Sequence, residues 1–399
     1  MASRTLYITI ATSLAVGAVD RAALAYDSSD TAYGTGAGAV LSTGTSDTAF
    51  GYNALNKTTT GSGNTAVGRS ALFRNKTGAS NTAVGNTALY NGTGNYNTAV
   101  GDSALSANGS DSNVAIGASA LASNGSGGRN TAVGSFAMQL DTGGVDNVAV
   151  GGNALGSSAA SYNVGVGVDA MSFYINGSSN TAVGTYASSG FQDDFSNTGA
   201  FGFGTEPTQN NEFIFGNSSA TVTGGYTDWA NISDARFKTS VLENVPGLAF
   251  VMKLRPVTFK WDMAKLVAFE NTKVPPSGND EKAAKRYTGF LAQEVEQAAA
   301  ETDFDFSGVI RPPNERSKYM LTYAEFVVPL VKAVQEQQRQ IEDLRKTVDS
   351  LRSERLASAG TGPQQAGMLP NSTGASGALI GALIGLLLFK RQKASVRTS

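Results

Sequence analysis

The sequence predicts a mainly β chain: a stack of short repeated strands, a small α+β module, a long helix and a C-terminal apolar helix. Three observations carry that reading. The motif Asn64-Thr65-Ala66-Val67-Gly68, with Ala71-Leu72 behind it, returns every 16 or 17 residues through the first half. After Trp229 the composition changes abruptly, as charged residues appear and glycine thins out. Apolar residues then fall at heptad spacing between residues 327 and 351.

The repeats come first. Copies of the motif begin at Asn64, Asn81, Asn97, Asn113, Asn130, Asn147, Asn163 and Asn180, with degenerate copies at Asp47 and Asn197. A fixed short period marks a solenoid or rolled array. Within a copy, Thr65 and Val67 alternate with Ala66 and Gly68, which is the period of a strand with β-branched side chains on one face. Small residues on the other face let neighbouring backbones approach closely. Stretches such as Asn91-Gly92-Thr93-Gly94 supply the turns. Flexible low-complexity chain has a similar composition, but it does not require Val, Ile or Phe at one slot in every copy. Ten rungs spaced about 4.8 Å apart make a rod on the order of 50 Å long.

These Asn-Thr-Ala-Val-Gly…Ala-Leu units resemble the head repeats of YadA-like trimeric adhesins. The resemblance implies left-handed β-rolls in a homotrimer, over residues 26–204, with a connector at 205–232. The units here are longer than is usual in that family, so short loops should protrude. A calcium-binding repeat solenoid would need an aspartate at fixed positions, and the acids here are scattered.

Composition narrows the chemistry. The 399 residues are enough for two or three domains, with 47 glycines, 16% charged residues and a formal net charge of −2. Residues 26–232 hold five basic side chains, Lys57, Arg69, Arg74, Lys76 and Arg129, so no nucleic-acid partner is expected. The chain has neither cysteine nor histidine. That excludes disulfides, thiolate nucleophiles, Ser–His arrangements and imidazole metal ligands. No metal or cofactor is expected, and covalent chemistry falls to Ser, Thr, Lys or a carboxylate.

At the compositional boundary stands Ile232-Ser233-Asp234-Ala235-Arg236-Phe237-Lys238. A serine hydroxyl is a weak nucleophile until a base removes its proton, and without histidine that base is a lysine in its neutral form. Further on come Leu254-Arg255-Pro256-Val257-Thr258-Phe259-Lys260-Trp261, Tyr287-Thr288-Gly289-Phe290-Leu291-Ala292-Gln293-Glu294-Val295 and Tyr319-Met320-Leu321-Thr322-Tyr323. Together these motifs resemble the intramolecular chaperone auto-processing domain of phage tail spikes, endosialidases and myelin regulatory factor. The resemblance covers residues 233–333. It implies a domain that trimerises, assists assembly of the preceding β-structure and then cuts the bond before Ser233. Ser233 would attack the Ile232 carbonyl, with Lys238 as general base. Asp234 would orient the loop or start a helix, and Gln293 and Glu294 would support the fold rather than catalyse.

The closing helix continues as a predicted coiled coil over 327–356. Val327, Val334, Ile341 and Val348 fall at a, and Leu330, Gln337, Leu344 and Leu351 at d. β-Branched a with Leu d favours two strands, against the trimer that both resemblances imply, and the trimer is the expectation kept. Pro329 should leave the start irregular.

Both termini read as membrane signals. A basic start, an apolar run and Ala23-Leu24-Ala25 predict a signal peptide over residues 1–25. After a linker at 357–373, residues 374–389 are apolar and lead into a basic tail at 390–399. They predict a transmembrane segment with a cytoplasmic tail. Gly377, Gly381 and Gly385 have the small-residue spacing that permits close helix packing in lipid. The combined expectation is a secreted or cell-surface homotrimeric fibre, adhesin-like and made as a single-pass membrane precursor. Its repeats would face a host-surface or matrix ligand. The alternatives are an uncleaved anchored adhesin with a purely structural chaperone domain, and a phage tail fibre.

Overall fold

A computed structural model describes residues 29–360, apart from 41–42, 158, 174–175, 190–193, 227–228 and 271–278, with side chains to residue 357. The expected signal peptide, transmembrane segment and tail lie outside the described residues, as does most of the linker. Among the described residues no helix is long and apolar enough to cross a membrane.

The N-terminal half is a parallel β-solenoid of twelve three-residue strands hydrogen-bonded in chain order. They are Thr31–Tyr33 (β1), Thr48–Phe50 (β2), Thr65–Val67 (β3), Thr82–Val84 (β4), Thr98–Val100 (β5) and Val114–Ile116 (β6). Thr131–Val133 (β7), Val148–Val150 (β8), Val164–Val166 (β9), Thr181–Val183 (β10), Gly199–Phe201 (β11) and Phe213–Phe215 (β12) complete the stack. Register is strict: Ala49 pairs with Ala66, Ala66 with Ala83 and Ala83 with Ala99. The ten copies read from the sequence are thus ten rungs. Two more, β1 and β12, extend the sheet at each end, and β12 lies within the stretch read as a connector.

The small face of each strand is the inner one. Ala66 is buried while Thr65 is half-buried and Val67 exposed. Most rungs add an alanine and a leucine or methionine to the interior, as Ala71 and Leu72 do, and later Ala137 and Met138. Those leucines turn the corner with positive φ, 50° at both Leu72 and Leu105. That conformation is strained for a bulky residue, and full burial of the side chain offsets it. A glycine column runs through the next corner for a different reason. Gly101 has φ 139°, and a Cβ there would stand 2.5 Å from the carbonyl oxygen of Gly117 on the following rung.

Inside the roll the motif asparagines form a ladder. Asn97 Oδ1 accepts the backbone N–H of Asn113 at 2.9 Å, and Asn97 Nδ2 donates to the Ser110 carbonyl at 2.9 Å. The same pair of bonds recurs at Asn130, to Asn147 N and the Gly144 carbonyl. Each side chain therefore satisfies backbone groups that burial would otherwise orphan.

The module after the solenoid is α+β. Leu248–Val251 (α1) precedes Val257–Phe259 (β13), which pairs antiparallel with Tyr287–Gly289 (β14). Between them lie Met263–Glu270 (α2) and Asn279–Ala284 (α3). Ala292–Ala300 (α4) follows, and then Val309–Ile310 (β15) pairs antiparallel with Met320–Leu321 (β16). One aromatic cluster holds these pieces: buried Phe250, Phe306 and Phe326 with Val295, Ala298 and Ala299 of α4.

Val327–Gly360 (α5) is a single helix of 34 residues. Pro329 sits in its first turn, where the missing N–H leaves no helical bond unmade. The helix therefore starts regularly at Val327, and the irregularity expected from Pro329 is not seen; a 3-10 turn, Tyr323–Phe326, precedes it. Ile341, Leu344, Val348 and Leu351 stand exposed along α5.

Candidate active site

Ser233 and Lys238 flank one short 3-10 turn, Ala235–Phe237. Asp234 caps it: its Oδ1 accepts the Arg236 N–H at 2.9 Å. The turn closes with Phe237 N donating to the Asp234 carbonyl at 3.1 Å and Lys238 N to the Ala235 carbonyl at 3.2 Å. Arg236 reaches back and grips the same carboxylate, from Nε at 2.9 Å and Nη2 at 2.5 Å. That guanidinium holds the Asp234 carboxyl below the ordinary carboxylate range. The turn folds residues 233–238 into a loop whose two ends meet. Lys238 Nζ donates to Ser233 Oγ at 2.7 Å.

The expected pair is therefore brought together in space, and Asp234 starts a helical turn. Arg236 takes a part that sequence reasoning left unassigned: it fixes the capping carboxylate. A basic residue two positions after a capping aspartate was the available signal.

The surroundings are open in the single chain. Ile232, whose carbonyl adjoins Ser233, is 90% exposed. Val222, Tyr226, Trp229, Phe237, Val241 and Leu242 are exposed as well. Large apolar side chains thus flank the Ile232–Ser233 bond and stand largely open to solvent, with Trp229 touching the Phe215 ring and Phe237 the Arg236 guanidinium.

The supporting residues lie on α4. Glu294 accepts from Arg255 Nε at 2.9 Å, and a second bond joins the Arg255 Nη2 to Glu294 Oε1. Arg255 pulls the Glu294 carboxyl below its ordinary value. This pair ties the first turn of α4 to the segment leading into β13. Gln293 is exposed. Among the described residues, no hydrogen bond joins Gln293 or Glu294 to Ser233 or Lys238. The glycine before them has a plain purpose: a Cβ on Gly289 would lie 2.3 Å from Tyr323 Oη, which accepts the Phe290 N–H at 3.1 Å. Two separate sequence motifs, around Gly289 and Tyr323, thus meet in one contact.

Comparison with curated proteins and with solved structures gives no match. Over residues 233–303 the chain matches the model of the Peptidase_S74 family, described as chaperone of endosialidase, and the match opens on the serine that Lys238 contacts.

Proposed function

We propose that this chain is a homotrimeric, tail-fibre-like surface or secreted protein whose C-terminal module assembles the solenoid and then cuts the chain before Ser233. The observation that carries this reading is the coincidence of two boundaries. The family match begins at residue 233, and there Lys238 Nζ lies 2.7 Å from Ser233 Oγ.

The reaction needs few groups. Neutral Lys238 takes the Ser233 hydroxyl proton as Oγ attacks the Ile232 carbonyl carbon. The Ile232–Ser233 C–N bond breaks, and its nitrogen, protonated by the lysine, becomes the free α-amine of Ser233. An ester then joins the Ile232 acyl group to Ser233 Oγ. Water hydrolyses the ester, releasing an Ile232 carboxylate and restoring the serine. A lysine does this only when water is excluded, since burial disfavours the ammonium form.

That requirement links cleavage to assembly. Two uncovered apolar surfaces support a partner of the same kind. One is the outward column of the solenoid, with Phe50, Val67, Val84, Val100, Ile116, Val150 and Val183 exposed rung after rung. The other is the apolar segment around the Ile232–Ser233 bond. Surfaces of this extent mark interaction sites in soluble proteins. Copies packed along both would bury the column and dry the lysine, so that only assembled chains cut. The exposed stripe of α5 would complete the assembly as a coiled coil.

Denaturing gels of purified protein test this. The parent should give two fragments with a new N-terminus at Ser233, and Ser233→Ala or Lys238→Ala one full-length band. Lys238→Arg should also fail, because a guanidinium stays protonated. A lysine variant that still cuts at Ile232 would remove Lys238 as the base. The chain with residues 233–356 deleted should aggregate, because flat strands with small side chains specify register weakly. A soluble, β-rich trimer from that deletion would remove the chaperone role.

A further inference from the structure

Cutting the chain before Ser233 separates the solenoid from the module in covalent terms only. Among the described residues, at least five hydrogen bonds join residues on opposite sides of that bond. Lys282 Nζ, on α3, donates to the carbonyls of Ser218 at 2.6 Å and Ala220 at 3.2 Å. Asn314 Nδ2 and Ser317 Oγ donate to the Thr208 carbonyl at 2.9 and 3.2 Å. Ser219 Oγ donates to Asn279 Oδ1.

Their placement is orderly. Thr208 lies in the turn before β12, and Ser218 and Ala220 in the turn after it. The module therefore holds both flanks of the last rung, one of the two edge strands of the stack among the described residues. Four of the five bonds end on main-chain carbonyls. A grip of that kind recognises the end of a β-stack whatever its side chains are. Beside it lies an apolar cleft of about 970 Å³, with Phe213 and Phe215 of β12 on one wall and Trp261, Leu266 and Phe269 on the other. Lys282 is partly withdrawn from water here: burial pushes its ammonium down, with Glu270 opposing. Its Nζ also stands 5.8 Å from the centre of the Trp261 ring. Ammonium hydrogen bonds in such a setting are stronger than neutral ones.

We propose that Lys282, with Asn279, Asn314 and Ser317, forms a clasp that keeps the cut module docked on the last rung of the solenoid. The partner of this surface is the cleavage product of the same chain, so this rests on the proposed cut. Cleavage alone then does not free the rod, and opening the clasp is a second, separate step. Before the cut, the same clasp caps the open edge that would otherwise template pairing with other strands.

The clasp is testable without relying on self-cleavage. In the full chain carrying Ser233→Ala, a recognition site for an added sequence-specific protease is placed after Ile232, on a Gly/Ser loop that stands clear of the surface. After complete cutting, size-exclusion chromatography and the exchange rate of a labelled rod report whether the halves stay together. The expected result is co-elution in the otherwise unchanged chain. Lys282→Met should speed separation about tenfold or more, since it removes two hydrogen bonds from a charged donor. Lys282→Arg, which keeps the charge and donors, should restore retention. Circular dichroism of uncut Lys282→Met confirms its fold. If that variant misfolds, the pair Asn314→Ala and Ser317→Ala takes its place with the same expectation. Halves that part at once on cutting, or a Lys282→Met chain that holds as firmly as its parent, would overturn the clasp. Failure of the native chain to cut, with retention intact here, would sink only the self-cleavage reading.

Discussion

The solenoid and the module are stabilised in opposite ways. The solenoid repeats one small solution rung after rung: a three-residue strand and, in most rungs, an inner alanine, a corner leucine or methionine and an asparagine side chain bonded to its neighbour's backbone. No rung has a core of its own, and each depends on the next. The module concentrates its packing in one aromatic cluster, in which Phe250 lies 5.3 and 5.1 Å from the rings of Phe304 and Phe306. It follows that damage should stay local in the first region and be global in the second. The module has a nucleus of its own to organise around. The solenoid has only edges to extend, and an edge in the wrong register extends as readily as one in the right register.

Phe250→Ala offers the strongest way to break that comparison. Truncating a fully buried phenylalanine costs about 3–5 kcal/mol, a large part of the stability of a small domain. The module should unfold, and with it the yield of soluble, β-rich assembly should collapse although the solenoid sequence is intact. Sedimentation and far-ultraviolet circular dichroism measure both. A solenoid that assembles normally beside a melted module would show that the two regions fold independently.

Gly101→Ala is the matching lesion in the rod. The backbone strain of an alanine at φ 139° is about 1–3 kcal/mol, and the contact with the Gly117 carbonyl adds to it. The loss should be confined to the rungs around β5 and β6. Hydrogen exchange should quicken there while β2 and β10 keep their protection. Uniform loss of protection from end to end would mean that the rungs are coupled far beyond their neighbours.

What was legible in the sequence follows the same division. The rungs announced themselves because stacking forces the same residue types into the same slots, as in Asn64-Thr65-Ala66-Val67-Gly68. Which face pointed inward was not legible, because alternation of Thr and Val with Ala is equally consistent with either. Packing decides it: the inner alanines share the narrow interior with the corner leucines and methionines. The end rungs were missed because their motifs are eroded, Ala37-Gly38 standing where the Ala-Leu pair belongs behind Asp30-Thr31-Ala32-Tyr33-Gly34, and Phe213-Ile214-Phe215 replacing Thr-Ala-Val. The Ser233–Lys238 pair was legible only through its surrounding motifs, since a serine five residues before a lysine is common. Lys282 left no trace at all. It binds backbone carbonyls, and a carbonyl carries no sequence signature.

The smallest expected effect sharpens the comparison by strengthening the rod instead of breaking it. In a second internal ladder, Asn75 and Asn124 each donate from Nδ2 to a glycine carbonyl, at 2.9 Å to Gly78 and 2.7 Å to Gly127. Asp141 takes the equivalent place. Its Oδ1 accepts the N–H groups of Gly143 at 3.1 Å and Gly144 at 2.9 Å, while its Oδ2 is buried without a partner. Burial pushes this carboxyl from 3.8 up to about 6, against the two backbone N–H groups that favour the anion. A carboxyl raised on folding contributes stability that is complete below its unfolded value and is lost as pH rises through its folded value. Between pH 4 and 7 the rod should therefore weaken by at most about 3 kcal/mol on this account. Asp47, whose carboxyl is also raised by burial, acts in the same direction. Ion-paired carboxylates such as Asp146 and Glu296, held low by Arg129 and Arg311, act in the opposite one. The difference between variant and parent isolates Asp141 from both. Asp141→Asn supplies the missing donor at every pH, so its urea midpoint should exceed the parent's at pH 7.5. The gap should nearly close at pH 4, where the parent's own neutral acid provides an O–H. An equal gap at the two pH values would mean that the proton has no place in this ladder.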